Sequence, residues 1–552
     1  MEIDRRALLR AGAATLIAGC HGRSSTEEAH VASPPAPVSP LSQPRTQGVG
    51  LSGLPYPELA ELSIADLSAK LARGELTSVA LVQQYRARIA ALDDKLHAVL
   101  ELNRDAEQIA AQLDRERASG KSRGPLHGIP ILVKDNIDTG DSMLTTAGSL
   151  ALAASGPAKR DAFVIGKLRA AGAVILGKTN LSEWANFRGT SSISGWSGRG
   201  GQCRNPYALD RSPSGSSSGS AVATASGLCA VAIGSETDGS ITSPASCSAL
   251  VGVKPTVGLV SRSGVIPISP SQDTLGPMAR SVTDAAVVLT AIAGADPEDP
   301  VTNSARPEDY TKYLDPKALA GARIGVPRKG WFGLARYVDT IISGALDQLR
   351  ALGAELVDDI ELEIPAALGP AELTVFVAEI KTAMEAYLAR RGDPNMRSLF
   401  DVMRFDLENR DGELRSFGHE WFEKAQASLG TQSPGYREAR ALCLEIARDK
   451  LLDGAIQKHN LDAIVVGTSS VPWLIDPIAG DTFPPGPNST TLPAVAGYPH
   501  VTVPAGWYFG LPVGLSFIGK AFSEGKLLGY AFAYEQATHH RRPPQYFSTA
   551  PL

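Results

Sequence analysis

The sequence predicts an α/β fold in which buried β-strands alternate with helices. Short apolar runs bounded by glycine and proline are typical of strands that are covered on both faces. Runs of this kind include GIPILVKD, AGAVILGKTN, LCAVAIGSE, DAIVVG, HVTVPAG and VGLSFIG. Helical stretches such as DAFVIGKLRAA lie between them. This alternation is the pattern of an α/β sheet.

Size and composition indicate a globular protein. The chain has 552 residues, of which 43% are apolar and 20% charged, which is enough for one large core or about two to three ordinary ones. The formal net charge is −5, from 53 basic and 58 acidic residues, so no surface for nucleic acid is indicated. The five cysteines are widely spaced and form no CxxC pair, which argues against zinc sites and disulfide frameworks.

The N-terminal residues 1–20 are predicted to be an export signal of the twin-arginine type. Arg5 and Arg6 precede AGAATLIAG, a weakly apolar stretch that is too short to span a bilayer. The stretch ends at Cys20 in a sequence similar to a lipoprotein box, so Cys20 is a candidate for lipidation. Residues 21–54 are rich in proline and serine and are predicted to be a disordered tether. We therefore expect a periplasmic or secreted protein whose contact with a membrane is limited to a lipid anchor; the alternative is a disordered N-terminus with two coincidental arginines.

A single folded domain is expected over residues 55–548. It begins with residues 62–103, which have apolar residues at helical spacing and are predicted to form packing helices, with Ser63 and Asp66 spaced as a capping pair. From about 365 to 450 the sequence is long, charged and helical. We interpret this segment as a helical insertion over one side of the sheet.

Two motif matches are set aside because their sequence context is wrong. Residues 172–179 match GxxxxGK[ST], but the interior of the motif is itself an apolar strand, so ATP binding is not expected and Lys178 is predicted to be a strand-end residue. Gly215, Ser217 and Gly219 match GxSxG, the nucleophile elbow of α/β hydrolases. That elbow needs a hydrophobic strand before it, whereas RNPYALDRSP is polar and interrupted by proline.

Three other stretches carry candidate catalytic groups. Lys134 ends the apolar run 129–133, where burial disfavours a charged ammonium and makes the lysine a usable base. Residues 212–221, SPSGSSSGSA, place several serines on a glycine-rich loop before a helix of small residues. Ser240 lies in the turn TDGS after a predicted strand, and successive N–H groups of such a turn can bind an oxyanion.

These stretches resemble blocks of the amidase signature family of serine hydrolases, in the family's order, over nearly all of residues 55–545. The blocks are GPLHGIPILVKDNI, GAVILGKTNLSE, GVKPTVGLVSRSGVIPISPSQDTLGPMARSVTDAA and LPAVAGYPHVTVPAG followed by GLPVGLSFIG. The resemblance implies a large, mixed, twisted β-sheet covered by helices on both faces, with the helical insertion near the substrate site. It implies no metal ion and no organic cofactor.

The resemblance also implies a Ser-Ser-Lys triad that acts through an acyl-enzyme. In this sequence the lysine would be Lys134, the bridging serine, held by a cis peptide, Ser216, and the nucleophile Ser240. Neutral Lys134 would take a proton from Ser216, which would take one from Ser240 as it attacks the amide carbonyl. The implied oxyanion hole consists of the backbone N–H groups of Thr237, Asp238, Gly239 and Ser240.

Four positions depart from the family pattern without removing a member of this triad. Ser214 stands where glycine is usual, Glu236 where aspartate is frequent, Asp238 where glycine is frequent, and Thr242 where arginine is common.

The stretches SETDGSIT and EIKTAMEAYLARRG are similar to the bacterial peptide amidase branch, whose members hydrolyse C-terminal peptide amides and release ammonia. An amidase for small aliphatic, aromatic or acyl amides is an alternative with the same chemistry. A subunit of a glutamine-dependent amidotransferase is less favoured, because the tRNA and the other chains of such an enzyme are cytoplasmic and the export signal would separate this protein from them. A catalytically silent binding protein is disfavoured by the intact triad. The sequence indicates no oligomeric state.

Overall fold

A computed structural model of the protein describes residues 53–551. The predicted export signal 1–20, the candidate lipidation site Cys20 and nearly all of the predicted tether 21–54 lie outside the described residues. Within the described range, no helix is both long and apolar enough to cross a membrane.

Within residues 53–551 the fold is built on one mixed sheet of 11 strands, with a separate two-stranded ribbon. The strands are β1 (Val99–Leu102), β2 (Pro130–Lys134), β3 (Val174–Thr179), β4 (Trp196–Ser197), β5 (Gly201–Gln202), β6 (Val231–Glu236), β7 (Val251–Lys254), β8 (Thr274–Ala279), β9 (Arg323–Val326), β10 (Glu355–Asp358), β11 (Ala463–Gly467), β12 (His500–Tyr508) and β13 (Leu511–Ile518). The order across the sheet is β1-β3-β2-β6-β8-β7-β12-β13-β11-β9-β10, and β4 pairs with β5.

Parallel pairs lie in two parts of this sheet and antiparallel pairs lie between them, while the edge strand β1 pairs antiparallel with β3. Strands β3, β2 and β6 run parallel, as do β11, β9 and β10. The neighbouring strands from β6 to β8, β7, β12, β13 and β11 pair antiparallel. Every residue of β2, β3, β6, β7 and β8 is buried; since successive side chains point to opposite faces, both faces of this part of the sheet are covered. The predicted mixed α/β sheet is confirmed.

Helices flank the sheet along its whole length. They are α1 (Ile64–Ala72), α2 (Ser78–Leu96), α3 (Ala106–Ala118), α4 (Leu150–Ala153), α5 (Phe163–Ala170), α6 (Ser218–Ala225), α7 (Thr242–Cys247), α8 (Val282–Ile292), α9 (Arg336–Ala351), α10 (Leu368–Arg391), α11 (Leu399–Glu408), α12 (Arg410–Glu413), α13 (Glu420–Ala427), α14 (Pro434–Cys443), α15 (Asp453–His459), α16 (Thr491–Ala496) and α17 (Glu524–Thr538). A π-helical stretch, Leu444–Leu452, joins α14 to α15.

Residues 62–103, which are predicted to be helical, begin with a helix as expected but end in a strand. Helix α1 begins with the predicted capping box, in which the Ser63 and Asp66 side chains each accept a hydrogen bond from the other residue's backbone N–H. The helical expectation is wrong for Val99–Leu102, which forms the edge strand β1. Helix α2 ends because His97 adopts a left-handed conformation, with φ of 51°, and the Asp93 carboxylate then accepts the N–H groups of the next two residues.

The segment predicted as a helical insertion contains helices α10 to α14. It is tied to the rest of the domain by a buried cation, Arg188, which lies between the carboxylates of Glu183 and Glu413 of α12. Arg188 Nη1 lies 3.0 Å from a Glu413 oxygen, and the guanidinium carbon lies 4.3 Å from the centre of the Phe417 ring. The three side chains are fully buried. Because a buried charge is tolerated only when it is paired, this contact fixes α12 against the core.

Candidate active site

Lys134 ends strand β2 in the interior of the sheet and is completely buried. Its Nζ atom lies 2.7 Å from Ser216 Oγ, 2.9 Å from Ser235 Oγ and 3.2 Å from the Ser235 carbonyl oxygen. Burial lowers the pKa of this amine from 10.5 to about 7, although the charges of Glu236 and Asp273 act in the opposite direction. A large fraction of the lysine is therefore neutral near neutral pH, as a general base must be.

Ser216 is held in a loop whose preceding residue must be glycine. The Gly215–Ser216 peptide bond is cis, and the Ser216 carbonyl accepts a hydrogen bond from Ser182 N–H at 3.0 Å. A β-carbon on Gly215 would lie 2.1 Å from the Ser182 hydroxyl, so no larger residue fits there. Helix α6 follows directly and consists entirely of small, buried residues, which lets the loop pack closely against β2 and β3.

Ser240 lies in the turn between β6 and α7, with 8% of its surface exposed. Its carbonyl accepts a hydrogen bond from Ser217 N–H at 3.1 Å, which joins the Ser216 loop to the Ser240 turn. Within residues 53–551 the Ser216 and Ser240 hydroxyls are not hydrogen-bonded to each other. The structure thus brings Lys134 and Ser216 into direct contact and holds Ser240 next to them through the backbone.

The turn before Ser240 presents backbone N–H groups that no described residue accepts. The amides of residues 237–240 make no hydrogen bond in this part of the chain, whereas the Glu236 carboxylate accepts the N–H groups of Ile241 and Thr242 at 2.8 and 3.0 Å. The Thr242 hydroxyl also donates to Glu236, at 3.2 Å. Two of the departures from the family pattern therefore contact each other. Unpaired amides in a row can stabilise an oxyanion.

Ser217 of the GxSxG match and Lys178 of the GxxxxGK[ST] match have structural roles. Ser217 is fully buried, and its hydroxyl donates to the Ser235 carbonyl at 3.0 Å; the segment before it is not a strand. Lys178 lies in strand β3, where its ammonium donates to the Ile137 carbonyl at 2.6 Å and to the Thr145 hydroxyl at 2.8 Å. Neither motif therefore has the surroundings that its function requires.

A cavity of about 670 Å³ opens beside Ser240. Its wall includes serine and glycine residues of the loops that carry the candidate site, and two acids, Asp238 and Asp481. It also includes five aromatic side chains: Phe187, Phe376, Trp421, Trp473 and Phe483. Phe376 belongs to α10 and Trp421 to α13, so the helical insertion forms part of the wall. No lysine, arginine or histidine lines this cavity among the described residues.

Several contacts of this site do not follow from the sequence analysis. Ser235 binds the Lys134 amine, and Asn136 Nδ2 donates to the same hydroxyl at 2.9 Å. Asp273 accepts the Thr237 hydroxyl at 2.6 Å and so braces the turn. Ser235 could have been found, because it lies in β6 two positions after a residue that pairs with β2. Asp273 and Asp481 carry no local signal in the sequence.

Comparison with known proteins identifies the family. A family model described as Amidase matches residues 80–528. The structure is similar to that of the peptide amidase from Stenotrophomonas maltophilia, with a TM-score of 0.84 and 51% identity over 88% of this chain and 99% of that one. A probable amidase from Arabidopsis thaliana is 41% identical over 89% of this chain and 92% of its own length.

One chain of the glutamyl-tRNA(Gln) amidotransferase from Moorella thermoacetica is more distant, with 36% identity over 88% of this chain and 99% of its own length. These likenesses span the whole domain that carries the lysine and the serines described above. The chain therefore belongs to the amidase signature family and is a hydrolase that acts on amide C–N bonds.

Proposed function

We propose that this hydrolase is a peptide amidase, which removes the C-terminal amide of short peptides as ammonia, and that Ser240, Ser216 and Lys134 are its nucleophile, bridging serine and base. The observation that carries the catalytic part is the 2.7 Å contact between the Lys134 amine and the Ser216 hydroxyl, together with a lysine pKa of about 7.

The contacts of Lys134 suit a neutral amine. Such an amine has two hydrogens and one lone pair. The two hydrogens are matched by the hydroxyl and the carbonyl oxygen of Ser235, which leaves the lone pair to accept the proton of Ser216. Ser235 thereby orients the base toward the serine from which it takes a proton.

The reaction follows from this arrangement as two proton transfers and one bond formation. Lys134 takes the Ser216 proton, Ser216 takes the Ser240 proton after a rotation of the Ser240 hydroxyl, and Ser240 Oγ bonds to the carbonyl carbon. The resulting oxyanion accepts hydrogen bonds from the amides of residues 237–240, each of which contributes about 3 kcal/mol to the stability of a transition state in comparable sites.

The intermediate collapses when the C–N bond breaks. The proton held by Lys134 returns through Ser216 to the leaving nitrogen, which departs as ammonia and leaves an ester on Ser240. A water molecule then attacks the ester while the same relay accepts its proton, and the C–O bond to Ser240 breaks as the relay returns that proton to Ser240 Oγ, which releases the carboxylic acid.

The cavity supports a peptide as the substrate. Its volume of about 670 Å³ lies within the range of about 300–1,000 Å³ that is usual for pockets holding drug-sized ligands. Its serines offer hydrogen bonds to a peptide backbone, and its aromatic rings offer contacts for apolar side chains. The likeness to the Stenotrophomonas maltophilia peptide amidase supports the same substrate class.

The amidotransferase alternative finds less support in this cavity. Glutamine carries an α-carboxylate, and a buried carboxylate requires a basic or multiply hydrogen-bonding partner. The described lining residues include two acids and no basic side chain, so the α-carboxylate of glutamine would find no basic partner in this cavity.

Ammonia release from a panel of amides tests the proposal. We expect kcat/KM to be highest for di- and tripeptide amides, and lower for acetamide, benzamide and glutamine. Higher values for glutamine or for the small amides would contradict the proposed substrate. A fluorophosphonate probe should label the parent protein and not Ser240→Ala, which should also lose all amide hydrolysis; labelling at Ser217 would contradict the proposed nucleophile.

A further inference from the structure

The substrate cavity contains a carboxylate whose partners are all uncharged. Asp481 lies in the long loop between β11 and α16 and lines the cavity. Its oxygens accept the Ser194 N–H at 3.1 Å, the Ser194 hydroxyl at 2.6 Å and the Trp473 indole N–H at 3.0 Å. A backbone N–H and an indole N–H can only donate, so the carboxyl group meets them as an acceptor. Burial raises the pKa of Asp481, and these hydrogen bonds oppose the rise.

This carboxylate lies close to the reacting groups. The Ser194 hydroxyl, which donates to Asp481, lies 3.2 Å from the position that a β-carbon would take on Gly215. Gly215 directly precedes Ser216. One side chain therefore separates Asp481 from the loop that carries the bridging serine, so a substrate bound at Ser240 has part of its length within reach of the carboxylate.

The surroundings of Asp481 suit a cation. The rings of Trp473 and Phe483 lie next to each other, with centroids 4.6 Å apart, and the faces of aromatic rings attract positive charge. The other ionisable group of the cavity wall, Asp238, is also an acid, and it accepts the Thr491 hydroxyl at 2.8 Å. The described lining residues include no basic group, and the described partners of Asp481 are a backbone N–H, a hydroxyl and an indole N–H, so a cationic substrate would supply a positive partner for Asp481.

We propose that Asp481 is a specificity-determining residue that binds a protonated amine of the substrate, so that the enzyme prefers short peptide amides with a free N-terminus to their N-acylated forms. The peptide part of this inference rests on the proposed function above, whereas the requirement for an amine does not.

The test compares three forms of one dipeptide amide: the free amine, the neutral N-acetyl form and the anionic N-succinyl form. We expect kcat/KM of the parent enzyme to fall in that order, with a preference for the free amine over the N-acetyl form of about tenfold or more, as for a partly buried charge pair. In Asp481→Asn this preference should fall to near unity, because kcat/KM for the free amine falls by a larger factor than kcat/KM for the N-acetyl form.

Two variants serve as controls. Asp347→Asn removes a negative charge from an exposed position on α9 and should leave the preference unchanged. Ser194→Ala removes the hydroxyl that donates to Asp481 but keeps the charge, so the preference should persist. An equal preference in the parent enzyme and Asp481→Asn would overturn the proposal.

If Asp481→Asn does not label with a fluorophosphonate and is therefore misfolded, the proposal is tested by the order of the kcat/KM values of the three forms with the parent enzyme. The proposal is overturned if the N-acetyl or the N-succinyl form has the highest kcat/KM. If no form of the peptide amide is hydrolysed, the proposed function fails, and the same comparison is made with an ω-amino aliphatic amide and its N-acetyl form. A preference for the free amine there supports the role of Asp481, and its absence overturns it.

Discussion

The pH dependence of activity tests the role of Lys134. The fall of its pKa from 10.5 to about 7 corresponds to about 5 kcal/mol by which the fully buried site disfavours the charged amine. Because only the neutral amine can accept the Ser216 proton, kcat/KM should rise with pH and level off above about pH 7. At pH 5, about 1% of a group with this pKa is neutral, so kcat/KM should be about 100-fold below its plateau.

The measurement is kcat/KM for one peptide amide between about pH 4.5 and 9, a range that brackets the pKa of the base, with circular dichroism at each pH to show that the fold persists. Lys134→Arg keeps a positive charge over this whole range and should be inactive throughout. A profile that is flat between about pH 5 and 7, or activity of Lys134→Arg that rises toward high pH, would refute the neutral-base role.

Three further predictions concern stability, the oxyanion turn and export. Because the folded pKa of Lys134 is depressed, the unfolded chain binds more protons between about pH 7 and 10.5, and this group makes the stability of the parent protein rise with pH across this window. Burial also lowers the pKa values of Lys178 and Lys254, so Lys134→Met should make the rise in thermal melts smaller without abolishing it, and should raise the melting temperature at about pH 7. Glu236→Gln should lower kcat by about tenfold or more with little change in KM, since one oxygen of Glu236 accepts the N–H groups that follow Ser240; an equal effect on KM would contradict this. Replacing Arg5 and Arg6 by lysine should retain the protein in the cytoplasm on cell fractionation, and a periplasmic variant would contradict a twin-arginine signal.

Local patterns of the sequence are enough to predict the elements of the site whose determinants are close together in the chain. The apolar run before Lys134 predicts a buried strand end, and strand β2 ends at this residue. The capping box at Ser63 depends on residues three positions apart. The apolar interior of residues 172–179 predicts a strand, and residues 174–176 of it form the first half of β3. In each case the physical cause lies within one element.

Contacts between distant segments cannot be predicted in this way. Ser194, which binds Asp481, lies 287 positions away in the chain, and no spacing rule connects residues so far apart. Strand β1 was missed because VLEL carries apolar residues that also fit a helix, and the outcome was decided by the left-handed His97 and by pairing with β3. Tertiary pairing thus overrides the local pattern at the edge of the sheet.

The buried Arg188 has a consequence for protein engineering. A designer who wished to exchange residues 365–450 for the equivalent segment of a relative, in order to graft a new substrate range, would remove the Glu413 carboxylate, which accepts hydrogen bonds from Arg188 Nη1 and from the Ser149 hydroxyl. Arg188 would keep Glu183 as its partner, but each buried donor left without an acceptor would cost about 1–3 kcal/mol, a sizeable part of the stability of an ordinary domain. A chimera should therefore carry an acid of its own at that place.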